Sequence, residues 1–477
     1  MPELDPMHKA DLEDLGKRRA TRAQTFVRLR EYTRGCGPLP AAIEAANVTK
    51  AYRLLMPMSD APWGDIVASA VANRLEVIGV DTGDKATDDL LWDEWRRNWM
   101  DSESSLAHTA TLTGGRSYAT VWPDKDGKPE VILDSPESMI VKYRAGSRQA
   151  RKAAFRHWVE DGYPYAALYY PDGIYKFRGP KDSMDNGAGG IAWEPFKPDE
   201  DSEWPVRNRW GIVPVVEIAT NRELEPGCFP YARGEFENCT GIIDRANLLT
   251  FLGLVVAFWM GFPLRGVIGE AMRTEVLKDD DGNPIIGSDG KPEVTRVPPF
   301  DVHADSLFQL EDPQAKLAEF KAADRSNLSI TAELEQLATA SNTPRHYFPM
   351  GTGTSNVSSD TVVAWESGLH GKISTRHKPQ IGAGWEDVFR LIALQKDGMD
   401  VPAKARVHWG EHESRSLAER ADAASKLKDI MPQQALAEKV LGATADDLAR
   451  WAAMGASDTF SQLIREANQP SGTQPAN

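Results

Sequence analysis

Three side chains near residue 410 have the chemistry of metal ligands. His408, Glu411 and His412 lie in the segment HWGEHE. A zinc site of the HExxH kind needs both histidines one turn apart on the same face of a helix. Gly410 interrupts this pair, and His408 lies in a predicted strand, KARVHWG. The pattern therefore favours polar side chains at the end of a strand, and we predict no metal.

Phosphate chemistry is suggested by the loop GTGTS, residues 351–355. A phosphate-binding loop needs the pattern GxxxxGKS or GxxxxGKT after a strand, and both the lysine and the strand are missing here. GxSxG, GxGxxG and the protein-kinase motifs are also absent from the sequence. We therefore predict no cofactor and no enzymatic activity. A carbohydrate-active hydrolase stays open as an alternative, because its two carboxylates can lie far apart in the chain.

Three tryptophans follow one another at helical spacing. Trp92, Trp95 and Trp99 lie in a segment from about residue 88 that ends at Gly114 and Gly115. Such a stripe could stack on sugars or bases. The spacing of three to four residues is also what contact with a core requires, so we expect one helix that buries the three rings.

The net charge of the chain is −15. Tight binding of nucleic acid depends on lysines and arginines that neutralise phosphates, so this charge argues against a protein that wraps DNA. DNA as a passing cargo remains compatible, because an acidic wall repels the duplex backbone. Residues 12–34 form a predicted basic helix, for which we expect a solvated face, with a nucleic-acid or membrane patch as the alternative. Its basic residues are Lys17, Arg18, Arg19, Arg22, Arg28 and Arg30.

Length and cysteine content limit the architecture. The 477 residues exceed the roughly 250 to 300 residues at which a single core stops growing, so two or more structural units are expected. The three cysteines are far apart and form no CxxC pair, which argues against a disulfide framework and a zinc knuckle. The polar N-terminal segment lacks the apolar core of a secretory signal, and we expect assembly in the cytoplasm.

The middle of the chain changes from mixed helices and hairpins to one long apolar helix. Residues 234–262 have a helical pattern, and the 15 residues from Leu248 to Phe262 are almost wholly apolar. This run is shorter than the roughly 18 to 20 residues of a membrane span, so a helix buried on all sides is favoured over a membrane helix. Strand and turn patterns follow over 263–312, a second helix at about 316–341, and a Gly/Ser/Thr loop over 344–360.

The order of these segments resembles the portal proteins of tailed phages, in the branch with long non-contractile tails. The landmarks are RLREYTRGCGPLP, PWGDIVASAVANRLEVIGV, HTATLTGGRSYATVWPDKDGKPEV, WGIVPVVEIATNRE and SRSLAERADAASKLK. The resemblance implies an α+β portal fold, mainly helical with small β-sheets, that assembles as a ring. Its regions would be the wing (1–233 and 359–412), two stem helices (234–262 and 316–345), the clip (263–315), the tunnel loop (346–358), the crown (413–466) and a disordered tail (467–477).

The same resemblance implies a site and a set of partners. The chain would form a dodecameric ring at one capsid vertex of the virion, after assembly in the host cytoplasm, and double-stranded DNA would pass through it without sequence specificity. Its partners would be the major capsid and scaffold proteins, the terminase and the head-tail adaptor, with no membrane. DNA would face Thr352, Thr354, Ser355, Asn356 and Ser358, and the subunits would pack through Leu249, Leu252, Val255, Phe258, Leu334 and Leu337. Another phage head or adaptor protein remains the main alternative.

Overall fold

The computed structural model describes most of the chain, in segments separated by gaps. Described are residues 5–37, 54–147, 149–183, 191–197, 203–224, 227–261, 264–268, 273–279, 282–286, 290–297, 316–320, 329–349, 359–397, 405–410, 417–427 and 429–432, and a few residues between 436 and 454. The predicted tunnel-loop residues 352–358 lie outside these segments, and so do Glu411 and His412.

Helices and short strands are interspersed along the described chain. The helices are α1 (Pro6–Arg34), α2 (Trp63–Ala72), α3 (Lys85–Arg97), α4 (Met100–Gly114), α5 (Thr240–Gly261), α6 (Thr331–Ser341), α7 (Ser359–Lys372), α8 (Lys378–Asp397) and α9 (Leu417–Leu427). The strands are β1 (Val77–Asp81), β2 (Arg116–Pro123), β3 (Pro129–Asp134), β4 (Met139–Tyr143), β5 (Arg151–Glu160), β6 (Tyr163–Tyr169), β7 (Gly173–Arg178), β8 (Glu194–Pro195), β9 (Val206–Arg207), β10 (Val215–Ala219), β11 (Leu264–Ile268), β12 (Arg273–Val276), β13 (Val294–Val297), β14 (Lys316–Phe320) and β15 (Arg406–Trp409). A π-helical segment, Ile373–His377, joins α7 to α8.

The chain divides into two compact units, as its length predicts. The first comprises residues 1–38, 61–244 and 333–477, and the second comprises residues 39–60 and 245–332. The first unit holds the antiparallel pair β1–β15, a three-stranded sheet β10-β2-β3, and a six-stranded sheet in which β4 to β8 follow in order and β9 pairs with β7. The second holds the pairs β11–β14 and β12–β13. Every pairing between the described strands is antiparallel.

Side-chain alternation along β5 places this strand between two apolar clusters of the first unit. Ala153 and Phe155 pack on one face of the sheet with Leu12 and Leu15 of α1. Ala154, which points the other way, packs with residues of β2, β4 and β10. Because successive side chains of a strand leave opposite faces, one strand can serve both clusters. The six-stranded sheet is therefore covered by α1 on one face and by the three-stranded sheet on the other.

The basic residues of α1 correct the expectation of a solvated helix. Arg19 is only 6% exposed and donates a hydrogen bond to the Glu137 carbonyl oxygen at 2.6 Å. Arg30 pairs with the Glu137 carboxylate at 2.7 Å, and the Arg22 guanidinium lies over the Phe229 ring. A long side chain that buries its methylene stem and finds a polar partner can face a core, so the prediction failed for these residues.

The prediction of one helix that buries Trp92, Trp95 and Trp99 is only partly correct. Two helices, α3 and α4, replace the single helix, because Trp99 between them has the left-handed φ of +59°. Trp95 is fully buried, as expected, whereas Trp99 is 76% exposed, so the single buried face is wrong for Trp99. Asn98 fixes the break, since its side-chain amide donates to the Pro129 carbonyl and accepts from the Val131 amide.

The second helix of the middle region starts later than the sequence indicates. Lys316–Phe320, predicted as helical, forms β14 and pairs with β11 from Leu264 to Ile268. The described helix begins at Thr331. Hydrogen bonds to a distant strand outweigh a weak local preference in this segment. The predicted hairpins β2–β3 and β6–β7 are confirmed, and the described part of residues 263–312 forms strands as predicted.

Candidate subunit interface and channel

The apolar helix α5 is the largest predicted interface element. Leu249, Leu252, Val255 and Phe258 are each only partly buried, and of the described side chains from 248 to 260 only Phe251 is fully buried. By length and composition the helix could cross a membrane: Glu237–Phe258 contains an 18-residue window with a mean hydropathy of 1.6, of which 22% is buried. A helix that is apolar on all sides normally lies inside a protein or a bilayer. In this chain α5 therefore leaves apolar surface uncovered.

Leu334 and Leu337, the other two predicted packing residues, have a different environment. Both side chains are fully buried within the single chain. They lie three residues apart on α6, so they share one face of this helix. Their surface is already used by the chain itself and is not available to a neighbouring copy.

A buried carboxylate, Glu235, connects the segment before α5 with the end of α7 and with the π segment. The Lys372 Nζ donates to Glu235 Oε1 at 2.6 Å and to the Ser341 carbonyl oxygen at 2.7 Å. His377 Nε2 lies 3.3 Å from Glu235 Oε2, and Asn221 donates to the same oxygen at 2.8 Å. The side chain of Glu235 is only 4% exposed. We call these contacts the Glu235 junction.

The electrostatics of the junction follow from these contacts. Burial alone raises the pKa of Glu235, because it removes water from the charged form. The contacts with His377 and Lys372 outweigh burial and lower the pKa of Glu235 to about 2. The carboxylate therefore stays ionised at neutral pH, and it holds α6, α7 and the π segment against the start of α5.

The π segment explains how two basic residues reach one carboxylate. Lys372 and His377 are five residues apart. The i→i+5 hydrogen bonding of a π-helix brings such residues to the same side of the backbone. His377 is further fixed by a hydrogen bond between its Nδ1 and the hydroxyl of Thr220 at 2.7 Å, one residue beyond the end of β10.

A second buried carboxylate, Glu366 of α7, joins its own helix to two other segments, residues 345–347 and Arg74 just after α2. Its Oε1 accepts a hydrogen bond from the Tyr347 hydroxyl at 2.9 Å and lies 3.3 Å from Arg74 Nη2. His346 and His370 lie at 3.3 and 3.1 Å from its two oxygens. Burial raises the pKa of Glu366, but hydrogen bonds from His370 and Tyr347 and the Arg74 charge lower it below its usual range.

Both carboxylates are occupied by hydrogen bonds and ion pairs within the chain, so their geometry suits positioning better than proton transfer. Among the residues that the structure describes, no group of three or more His, Cys, Asp or Glu side chains could hold a metal ion. His408 of the predicted metal cluster is about half exposed, with Asp81 at 3.8 Å. Sequence reasoning missed Glu235 and Glu366, because their partners come from distant parts of the chain and form no local motif.

Comparison with known proteins identifies the family. The family model described as phage portal protein, SPP1 Gp6-like, matches residues 75–459. The portal protein of Mycobacterium phage L5 is 26% identical over 404 residues, which cover 80% of this chain and 75% of that protein. The portal protein of Mycobacterium phage D29 is 25% identical over 464 residues, covering 91% of this chain and 87% of that protein.

The chain also aligns weakly with chains in solved structures of gene transfer agent particles. A chain from the virion of a native gene transfer agent particle aligns with a TM-score of 0.40 and 10% identity, covering 84% of this chain and 97% of that chain. The family model spans most of the present chain, and each of the two phage relatives aligns with this chain over most of its own length. The chain therefore belongs to the SPP1 Gp6-like family of phage portal proteins.

Proposed function

We propose that twelve copies of this chain form a closed ring at one vertex of the capsid, through which double-stranded DNA enters and leaves. The observation that carries the ring is the apolar surface left uncovered on α5. In a closed ring each subunit has one neighbour on either side, and the interface is heterologous. A helix that is apolar all round and only partly covered by its own chain fits a position between two neighbours.

The net negative charge supports a channel that binds the passing DNA only weakly. Twelve copies at −15 each would carry about −180, which repels the phosphate backbone. The segment 346–358, proposed to face the DNA, contains hydroxyl and amide side chains and no lysine or arginine. Thr352, Thr354, Ser355, Asn356 and Ser358 are the proposed contacts. Phosphate contacts that hold DNA tightly are made mostly by basic side chains, so such a lining favours sliding.

The remaining partners are proposed by analogy with other portal proteins, and membership of that family supports them. The β-rich part of the second unit is proposed as the clip that docks the terminase during packaging and the head-tail adaptor afterwards. The α+β first unit supplies the wing and, with the C-terminal helices, the crown inside the capsid. No phosphate-binding motif is present in the sequence, so the energy for packaging would come from the terminase.

An aspartate substitution on the apolar surface of α5 tests whether this surface is needed for ring assembly. Val255→Asp places a charge on a partly buried position, and burying an unpaired charge between subunits is costly. We expect wild-type rings of about twelve copies by native mass spectrometry and negative-stain electron microscopy, and monomers for Val255→Asp with an unchanged circular dichroism spectrum. Leu224→Asp is the matched control, because Leu224 is 94% exposed and lies outside α5.

Two results would overturn the proposal. Rings of Val255→Asp at the wild-type yield would remove α5 from the interface. A wild-type protein that stays monomeric under all conditions, or that floats with lipid vesicles, would contradict ring assembly through α5 and favour the membrane alternative for this helix.

A further inference from the structure

A groove of about 350 Å³ lies in the first unit, beside the Glu235 junction. Its lining comes from Asn221 just after β10, the segment before α5, the end of α6, and α7 with the π segment. The polar side chains that matter most are Arg233, Lys372, Arg376, Asn221, Asn238 and Asn342. Of the described residues that line it, Glu235 is the one carboxylate. The groove thus carries three cationic side chains against a single anion, in a chain whose net charge is −15.

The charges of the groove are not equally available. Glu235 is committed to Lys372 and His377. Arg233 pairs with Glu223 at 3.3 Å, a partly exposed contact that is worth little in water. Arg376 is exposed, and it donates a hydrogen bond of 3.4 Å to Asn221, which is longer than usual for such bonds. Arg376 and Arg233 can therefore accept another anionic partner.

The shape of the groove admits a side chain from outside. Gly368 and Gly371 of α7 and Gly234 belong to its lining, and a Cβ atom added at Gly371 would meet nothing within 4 Å. The other wall is fixed, since Asn342 has a left-handed φ of +53° and donates from its amide to the Gly368 carbonyl at 3.1 Å. A preformed pocket costs less ordering entropy when a partner binds.

We propose that this groove receives an acidic side chain of the neighbouring copy, next to Arg376. The inference rests on the proposed ring and adds a specific electrostatic contact to it. Charge complementarity favours a second copy as the occupant, because a neighbour with a net charge of −15 presents an excess of carboxylates. The groove also lies where α5 begins, immediately before the helix that we propose as the apolar part of the interface.

The lining favours a carboxylate over a DNA backbone. Duplex DNA is held by a series of cations spaced along consecutive phosphates. Here three cations converge on one small groove, and one of them, Lys372, is already paired. This arrangement fits one or two carboxylates, which an arginine can bind through two parallel hydrogen bonds.

Site-specific crosslinking identifies the occupant. A photoreactive amino acid replaces Thr375, which is exposed and lines the groove, in rings assembled from an equal mixture of ¹⁴N- and ¹⁵N-labelled subunits. We expect crosslinked peptides of mixed label, joined to an acidic segment of another copy. Crosslinks only within one label, or crosslinks to DNA in filled particles but not between copies, would overturn the proposal.

Charge reversal measures the contribution of the contact. Arg376→Glu is expected to raise the subunit concentration needed for half-maximal ring formation by at least about tenfold, whereas Arg376→Lys keeps most of the assembly. Lys17→Glu is the control, because Lys17 is an exposed basic residue of α1 outside the groove. If wild-type rings form and Arg376→Glu assembles equally well, the groove is not part of the subunit interface, and the proposed ring is unaffected. If the wild type never forms rings, the ring itself fails.

Discussion

Breaking the Glu235 junction should loosen the contact between α7, the π segment and the start of α5. In Lys372→Met, Glu235 loses its ammonium partner at 2.6 Å, and in Glu235→Gln, Lys372 keeps an amide oxygen as acceptor but no longer faces a negative charge. The pKa of Glu235 falls from 4.5 to about 2 in the folded chain, a difference that corresponds to about 3 kcal/mol. Removal of one partner of a buried ion pair costs a similar amount, roughly 3 to 5 kcal/mol.

Hydrogen exchange is the appropriate assay, because a chain with two structural units need not unfold in one step. A loss of about 3 kcal/mol should speed amide exchange in α7 and the first turns of α8 by roughly 100-fold. The control pair is Lys426 with Asp422, an exposed pair at 2.7 Å on α9. Its disruption by Lys426→Met should change local exchange less than about threefold.

Lowering the pH provides a second test, because it shows whether the stabilising effect of Glu235 decreases in acid. The folded-state pKa of Glu235 is lowered, so its stabilising effect is complete above about pH 4.5 and is lost as the pH falls toward 2. The difference in protection between the wild type and Glu235→Gln should therefore be constant above pH 4.5 and should shrink below it. Exchange in Lys372→Met that matches the exposed control pair, or a difference from Glu235→Gln that grows in acid, would refute the reasoning.

Two further predictions concern packing and backbone conformation, and each is measured by hydrogen exchange in the first unit, in the variant and in its control variant. Trp95→Ala should cost roughly 3 to 5 kcal/mol, because Trp95 is fully buried, whereas Trp99→Ala should stay within about 0.5 kcal/mol; equal costs would contradict the exposure of Trp99. Gly115→Ala should destabilise the chain by well over 1 kcal/mol, since its Cβ would lie 2.6 Å from the backbone of Ala232 and Gly115 has a φ of +82°. Gly127→Ala should cost only about 1 kcal/mol, because its φ of +76° is equally strained but its Cβ would meet open space; similar losses for the two glycines would show that the contact with Ala232 is unimportant.

Local patterns predicted the elements well where each pattern had one stable solution. The Asp-Gly turn at Gly127 and the alternating residues around it predict the hairpin β2–β3, which the structure confirms. The apolar periodicity of residues 63–72 likewise gives α2. Where a tertiary contact decides, the sequence was a poorer guide. Trp99 takes a left-handed conformation because Asn98 is held by β3, and the 316–320 segment becomes a strand because β11 pairs with it.

The candidate sites likewise differ in how far the sequence predicts them. The apolar character of α5 can be read directly from consecutive residues, and so can the absence of a phosphate-binding motif. The Glu235 junction cannot, because Glu235 lies 137 residues from Lys372 and the two meet only in the folded chain. The groove beside it combines residues from four separate segments. Long-range contacts of this kind need the topology of the chain as well as its pattern.

The π segment sets the rotational phase of α8. Each residue of an α-helix turns the chain by about 100°, so residues five apart would face about 140° away from each other. The extra residue in the Ile373–His377 turn absorbs this offset, and α8 can then direct Trp385 and Phe389 into the core. If the same five residues formed regular helix instead, α8 would be rotated by one residue, about 100°, relative to α7. The chain could then place either the core side chains of α8 or the contacts with the Glu235 carboxylate, so the extra residue held by the π geometry is what allows both.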